Sequence, residues 1–329
     1  MKILPFFLIK VVFLLVTLTF PSFSFASDAI HRVHMKDFHQ KTLAEDSPVI
    51  DMAFDHSKEG LWLLGQKHLW HWNFVEQRLQ KYQLKEGSSP ATQIAPDKLF
   101  AVEGQAYLGV AAGNHLFLVK QKPFRVTEFH IPETEEIGSS LAVMLNSDQE
   151  CCYWAHSQGV FQVESEKTKL EKVSRFSQIA GKRHDAVLWY HQIWSITDKE
   201  LYVLDLFTSE ERQVYSSKEE LLSVHLGQNQ DILLLTNQAL LRLHANGDIA
   251  QIIPQRHGEP LAAVHFDSST HSYLFRDGLL ERYHLPFQHL ESHDLRGEGQ
   301  ESFEKTIIQG PFVGTISNNV PSVFIIGAP

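Results

Sequence analysis

The sequence predicts an all-β fold, a seven-bladed β-propeller of four-stranded antiparallel blades, on three observations. Short apolar strands recur with one internal grammar. Their interval is the length of a four-stranded blade. The segment ahead of the first complete unit can supply the strand that the last unit lacks.

The grammar is plainest at Trp62–Leu69, WLLGQKHL. It returns as WAHSQGV at Trp154–Val160, WSITDKEL at Trp194–Leu201, LLLTNQAL at Leu233–Leu240 and YLFRDGL at Tyr273–Leu279. A large apolar residue opens each copy, an apolar stretch and a polar turn follow, and an aliphatic residue begins the next strand, which is the pattern of a hairpin. Taking that aliphatic position as an anchor, Leu69, Leu116, Val160, Leu201, Leu240, Leu279 and Val320 follow one another at intervals of 39 to 47 residues. That is the length of a propeller blade rather than of a helical or leucine-rich repeat.

The remaining strands fall into place around the anchors. A β-branched and aliphatic strand precedes the hairpin, as at Val49–Phe54, Leu221–Leu226 and Leu261–Phe266. A more polar fourth strand follows it, as at Leu79–Leu84, Arg125–Ile131 and Ile249–Ile253. Asn246-Gly247 marks the turn between strands three and four of its unit, since both residue types tolerate positive φ. Helical periodicity is hard to find. After Phe312–Ser317 and Val320–Ile326 the sequence holds no further strand for the last unit, whereas Ile30–Phe38 has no hairpin partner of its own. The expectation is that Ile30–Phe38 becomes the outer strand of the last blade and closes the ring. Six blades with a tail, the alternative, would leave the apolar run Val323–Ile326 without a core.

The chain begins with an export pattern. Lys2 supplies a positive start, Val11–Phe20 is apolar but for Thr17 and Thr19, and Ser24-Phe25-Ala26 fits the small-x-small cleavage rule. Residues 1–26 are expected to be a removable signal peptide and 27–329 a single propeller domain, periplasmic or secreted. No later segment reaches the length of a membrane helix. The formal charge is −10, and losing Lys2 and Lys10 with the leader makes it more negative, which argues against nucleic acid as a partner. The two cysteines, Cys151 and Cys152, are adjacent. Neighbours on a strand point to opposite faces, so they are expected to be separate thiols rather than a disulfide.

Gly60-Leu61-Trp62 followed by Lys67-His68-Leu69-Trp70 resembles the bacterial exported β-propellers, in particular those with sensor-type or WD40-like repeats. The Trp-Asp dipeptide of one large propeller family is missing. The resemblance implies an architecture and transfers no site residues.

Histidine is abundant, at 19 copies. His225 and His265 hold matching places in LLSVHLG and LAAVHFD and are candidates for a ligand or metal site near the central channel, because imidazole binds both metals and anions. Trp62, Trp154, Trp194 and Tyr273 share one repeat position and are assigned to the core. Trp70, Trp72 and Trp189 fall outside that series and are candidates for an exposed ligand-binding patch. His68 and His71 read as surface and hairpin residues. Glu103, Asp148, Asn229 and Asp267 read as loop residues, although a metal-dependent propeller enzyme could use such positions. No nucleophile elbow, calcium loop or phosphate loop is present. The sequence therefore points to an exported, non-catalytic recognition module for an envelope protein or small ligand, with no cofactor expected. One alternative is a propeller hydrolase, lyase or lactonase using calcium or zinc. Another is a structural scaffold of an envelope assembly.

Overall fold

Each repeat folds as an antiparallel sheet whose four strands lie in chain order, because hairpin turns join strands that can pair only with their immediate neighbours. The structure is a computed structural model. It describes residues 31–46, 48–55, 57, 59–84, 96–101, 107–121, 123–132, 138–145, 152–164, 169–177, 181–227, 231–254, 261–266, 271–276, 278–284, 288–296, 303–309 and 312–326. Of these, 45, 46, 145, 261–266, 271, 272, 284, 288, 290 and 291 are described in backbone only. The leader, Cys151, Glu103, Asp148, Asn229 and Asp267 lie outside the described residues.

Strand β1 (His31–His34) and helix α1 (Asp37–Asp46) come first. Blade 1 is β2 (Val49–Phe54), β3 (Gly60–Gly65), β4 (Leu69–Asn73) and β5 (Arg78–Tyr82). Blade 2 is β6 (Lys98–Ala101), β7 (Tyr107–Ala112), β8 (His115–Lys120) and β9 (Arg125–His130). Blade 3 is β10 (Ser140–Leu145), β11 (Cys152–His156), β12 (Gly159–Glu164) and β13 (Lys169–Ser174). Blade 4 is β14 (Asp185–Trp189), β15 (Gln192–Ile196), β16 (Glu200–Asp205) and β17 (Glu211–Ser216). Blade 5 is β18 (Leu221–Leu226), β19 (Ile232–Thr236), β20 (Ala239–Leu243) and β21 (Ile249–Pro254). Blade 6 is β22 (Leu261–Phe266), β23 (His271–Arg276), β24 (Leu279–His284) and β25 (Gln288–Asp294). Blade 7 takes β26 (Lys305–Gln309), β27 (Phe312–Ser317) and β28 (Val320–Ile325), and its fourth strand is β1.

The chain is a seven-bladed β-propeller, and all seven anchors stand at the first or second residue of a third strand. Closure is as expected, with His31 opposite Ile325 and His34 opposite Ser322. The closing strand is shorter than Ile30–Phe38, however, because the chain turns into α1 at Asp37. Asp37 favours the helix start electrostatically, and the Gln40 amide side chain bonds the Met35 carbonyl at 2.6 Å to fix the turn into it. Between β20 and β21, Gly247 alone takes positive φ, at 91°. Its amide bonds the His244 carbonyl at 2.8 Å. A Cβ there would lie 2.3 Å from the Val214 carbonyl of blade 4.

Seven apolar clusters fill the seven wedges between blades. Period-two alternation explains how one strand feeds two of them: Leu61 and Leu63 of β3 enter the wedge toward blade 7, and Trp62 and Leu64 the wedge toward blade 2. Trp62, Trp154, Trp194 and Tyr273 are all buried. Inner-strand carboxylates also tie blade to blade: Asp51 accepts the Leu99 amide at 2.8 Å and pairs with Lys305, and Asp185 accepts the Val224 amide at 2.9 Å.

Candidate functional site

By the alternation that sends Trp62 toward blade 2, His71 on β4 faces the same way, with the two rings 4.6 Å apart. At the corresponding place two residues past the anchor, blades 2 and 4 carry Leu118 and Val203, which pack into their wedges. The place is not uniform across the repeat, for blades 3, 5, 6 and 7 carry Gln162, Arg242, Glu281 and Ser322 there. The outer end of the wedge between blades 1 and 2 opens into a cleft of about 400 Å³, lined by residues that include Asp55, Trp62, His71, Arg78, Tyr82 and Gln121.

Turn geometry brings these groups together. Asp55 and Ser57 come from the turn between β2 and β3, Asn73 and Glu76 from the end of β4 and the turn after it, and Arg78, Gln80 and Tyr82 from β5. Gln121 follows β8 of blade 2. His71 Nε2 lies 2.9 Å from Asp55 Oδ2, and the Ser57 hydroxyl donates to Asp55 Oδ1 at 2.8 Å. Burial pushes the Asp55 carboxyl up, but the hydrogen bonds from His71 and Ser57, the nearby imidazole charge and the Gly60 amide together outweigh it and hold the pKa below the ordinary value. Gly60 makes room for the pair, since a Cβ there would lie 2.3 Å from His71 Nε2 and 2.5 Å from Asp55 Oδ2. On the blade 2 side Tyr82 stacks on Phe124 at 4.3 Å, and its hydroxyl donates to Gln80 Oε1 at 2.9 Å. Burial raises the Tyr82 pKa, so the phenol stays protonated.

The residues singled out in the sequence lie elsewhere. His225 is half-buried on β18 opposite Leu233, its Nε2 2.9 Å from Ser223 Oγ. Burial lowers its pKa against the opposing pull of Asp185. His265 holds the equivalent register opposite Tyr273 in the next blade, and its side chain is outside the described residues. Among the described residues no group of three or more His, Cys, Asp or Glu is placed to hold a metal ion.

Trp70 and Trp72 are not an exposed patch. They are 3% and 0% exposed, because they point into the wedge shared with blade 7, which Met35 and Leu43 of the α1 region cap. Trp189 is half-buried against Trp194, beside Tyr190. His71, read as a hairpin surface residue, instead lines the cleft and pairs with a carboxylate. The repeat carried no signal for it, since the equivalent place is also polar at Gln162, Arg242, Glu281 and Ser322.

No protein-family model matches the chain, and no curated protein matches it. Solved structures do. A catalytically inactive virginiamycin B lyase from Staphylococcus aureus, crystallised with quinupristin, superposes with a TM-score of 0.66 at 8% identity, covering 90% of this chain and 99% of that one. The WD40 repeats of RRP9 give 0.69 at 6% identity over 91% and 99%. The β-propeller domain of Cps50 (Swd1) from Myceliophteria thermophila gives 0.61 at 10% identity over 86% and 98%. What these structures share with this chain is the fold. They comprise a lyase, a set of WD40 repeats and a further β-propeller domain, so the likeness does not select between chemistry and recognition. No described helix is long and apolar enough to cross a membrane.

Proposed function

We propose that the chain is an exported, non-catalytic recognition module of the cell envelope that seats its ligand in the cleft between blades 1 and 2. The observation that carries this reading is the cleft itself. It has the volume of a small-ligand site, a ring-lined floor, and an inner carboxylate already oriented by His71 and Ser57, so that binding need not reorder it. Export rests on the leader pattern from Lys2 to Ala26. Intact mass of the protein from an envelope fraction should show a chain beginning at Ser27, and a chain retaining Met1 would count against export. For the cleft, a photo-crosslinking residue at Glu76 should yield an adduct that the same residue at Phe207, on blade 4, does not. Equal labelling at both positions would overturn the assignment.

The His71–Asp55 pair favours a second reading, a propeller hydrolase or lyase, because a carboxylate that holds an imidazole in one tautomer is also what a general base requires. Turnover that disappears in His71→Gln while ligand still binds would establish that reading over the first. Calcium or zinc bound stoichiometrically to the purified protein would point the same way.

A further inference from the structure

The fourth strand of each blade is an edge: one row of its backbone N–H and C=O groups pairs with the third strand, and the other row faces outward. Six of the seven edges carry charge, with Arg78 on β5, Arg125 on β9, Lys169 on β13, Arg212 on β17, Glu291 on β25 and Arg32 on β1. Such charges keep a strand of another chain from adding to the sheet. The seventh edge, β21, reads IAQIIP and has none. Among the described residues it is also the one outer strand that exposes large apolar side chains, Ile249 at 47% and Ile252 at 54%. Its register shift against the third strand is shared with β13, β17 and β25, all of them charged, so the shift does not stand in for the missing guard.

This edge is held in place. At its start Asn246 Nδ2 donates to Asp248 Oδ2 at 2.6 Å, the His244 amide bonds the Asp248 carbonyl at 3.0 Å, and Gly247 sits against the Val214 backbone of blade 4. At its far end Pro254 has no N–H to offer, which leaves residues 249–253 as the pairable stretch. Alternation sends Ile253 into the wedge toward blade 6 and leaves Ile252 on the opposite, open face. Length decides the occupant. Two rings meeting rim to rim along so short a strand would bury far less than the roughly 800 Å² per partner of a stable dimer. A single extended segment needs only a row of backbone partners and an apolar neighbour for its alternate side chains.

We infer that β21 is a docking edge for an extended, β-branched segment of a partner protein, which adds to blade 5 as a fifth strand with its apolar side chains beside Ile249 and Ile252. This site is separate from the cleft between blades 1 and 2 and does not rest on it.

The probe is a phage-displayed library of random heptapeptides panned on the purified full chain, with Ile252→Lys, which gives β21 the guard of the other edges, as the counter-target. Because Ile252 is exposed, that variant should melt with the parent. Recovered peptides should be rich in Val, Ile and Thr. A synthetic copy should bind the parent saturably, with a Kd in the millimolar to micromolar range, and should bind Ile252→Lys and Ile249→Lys each about tenfold more weakly or worse. N-methylation of alternate residues in the peptide should abolish binding in one phase of the alternation and spare it in the other, since one row of its amides meets β21 and the other faces solvent. Recovery of no binder, binding indifferent to both lysine variants, or equal loss in the two methylation phases would overturn the proposal. So would a concentration-dependent dimer of the parent that Ile252→Lys abolishes, since a second copy would then cover the edge.

Discussion

His156 ends β11 with its ring fully buried and its Nδ1 accepting the Gln158 amide at 3.3 Å. Gly138 is what admits it, since a Cβ there would lie 2.1 Å from His156 Cε1. Burial lowers its pKa from 6.5 to about 4, with the Gly113 carbonyl pulling the other way and Lys172 adding to the fall. Because the folded value lies below the unfolded one, protonation favours unfolding. Nothing is lost above pH 6.5, and stability falls as pH drops from there to about 4, by up to about 3 kcal/mol. Urea melts should show this loss in the parent and not in His156→Gln, and an identical pH dependence in both would refute it. Asp55 acts in a lower window. Its folded pKa is depressed, so its contribution is present above 3.8 and vanishes as pH falls through the lowered value. His71→Leu strips Asp55 of its main partner. It should cost about 1–3 kcal/mol, and adding Asp55→Ala should recover part of that. Denaturant midpoints of the single and double variants decide it.

Among the elements, α1 fixes the environment of blade 1. It is a ten-residue helix with few apolar positions, DFHQKTLAED, and Leu43 is its buried anchor, set against Trp70, Trp72 and Met35. His39 bonds the Gln77 carbonyl at 3.1 Å, so the helix also grips the turn between β4 and β5. Leu43→Ala should destabilise by about 2–5 kcal/mol and shift tryptophan emission to the red as Trp72 gains solvent. A melt and an emission spectrum unchanged from the parent would show that the helix is ornamental. The inner strands were legible in the sequence because each contributes to two wedges and so repeats its apolar pattern on both faces. The helix was not, because one leucine and a preceding methionine make no periodic stripe. That omission also led Trp70 and Trp72 to be read as exposed, since the element that covers them was unseen. The cleft escaped for a related reason: Asp55, His71 and Gln121 are far apart in sequence and meet only through two turns and an inter-blade wedge.

At the scale of the whole molecule, the seven apolar clusters each belong to two neighbouring blades, so that no blade has a complete core of its own. In an open array of repeats the ends can fray independently, whereas in a ring every blade has two neighbours and opening one wedge weakens both. The one wedge sealed by a strand from the other end of the sequence is that between blades 7 and 1, where β1 pairs with β28, and Met35 and Leu43 meet Ile316 and Val323. Removing residues through Lys36 should therefore uncover the edge of β28 and part of that wedge at once, lowering the urea midpoint and promoting edge-to-edge association. A synthetic peptide spanning His31–Lys36, added in trans, should restore the midpoint in a concentration-dependent way, as a ligand of the folded state does. A truncated chain that keeps the parent midpoint, or one that the peptide cannot rescue although it remains folded, would mean that the ring is held by its wedges alone and that β1 is not its clasp.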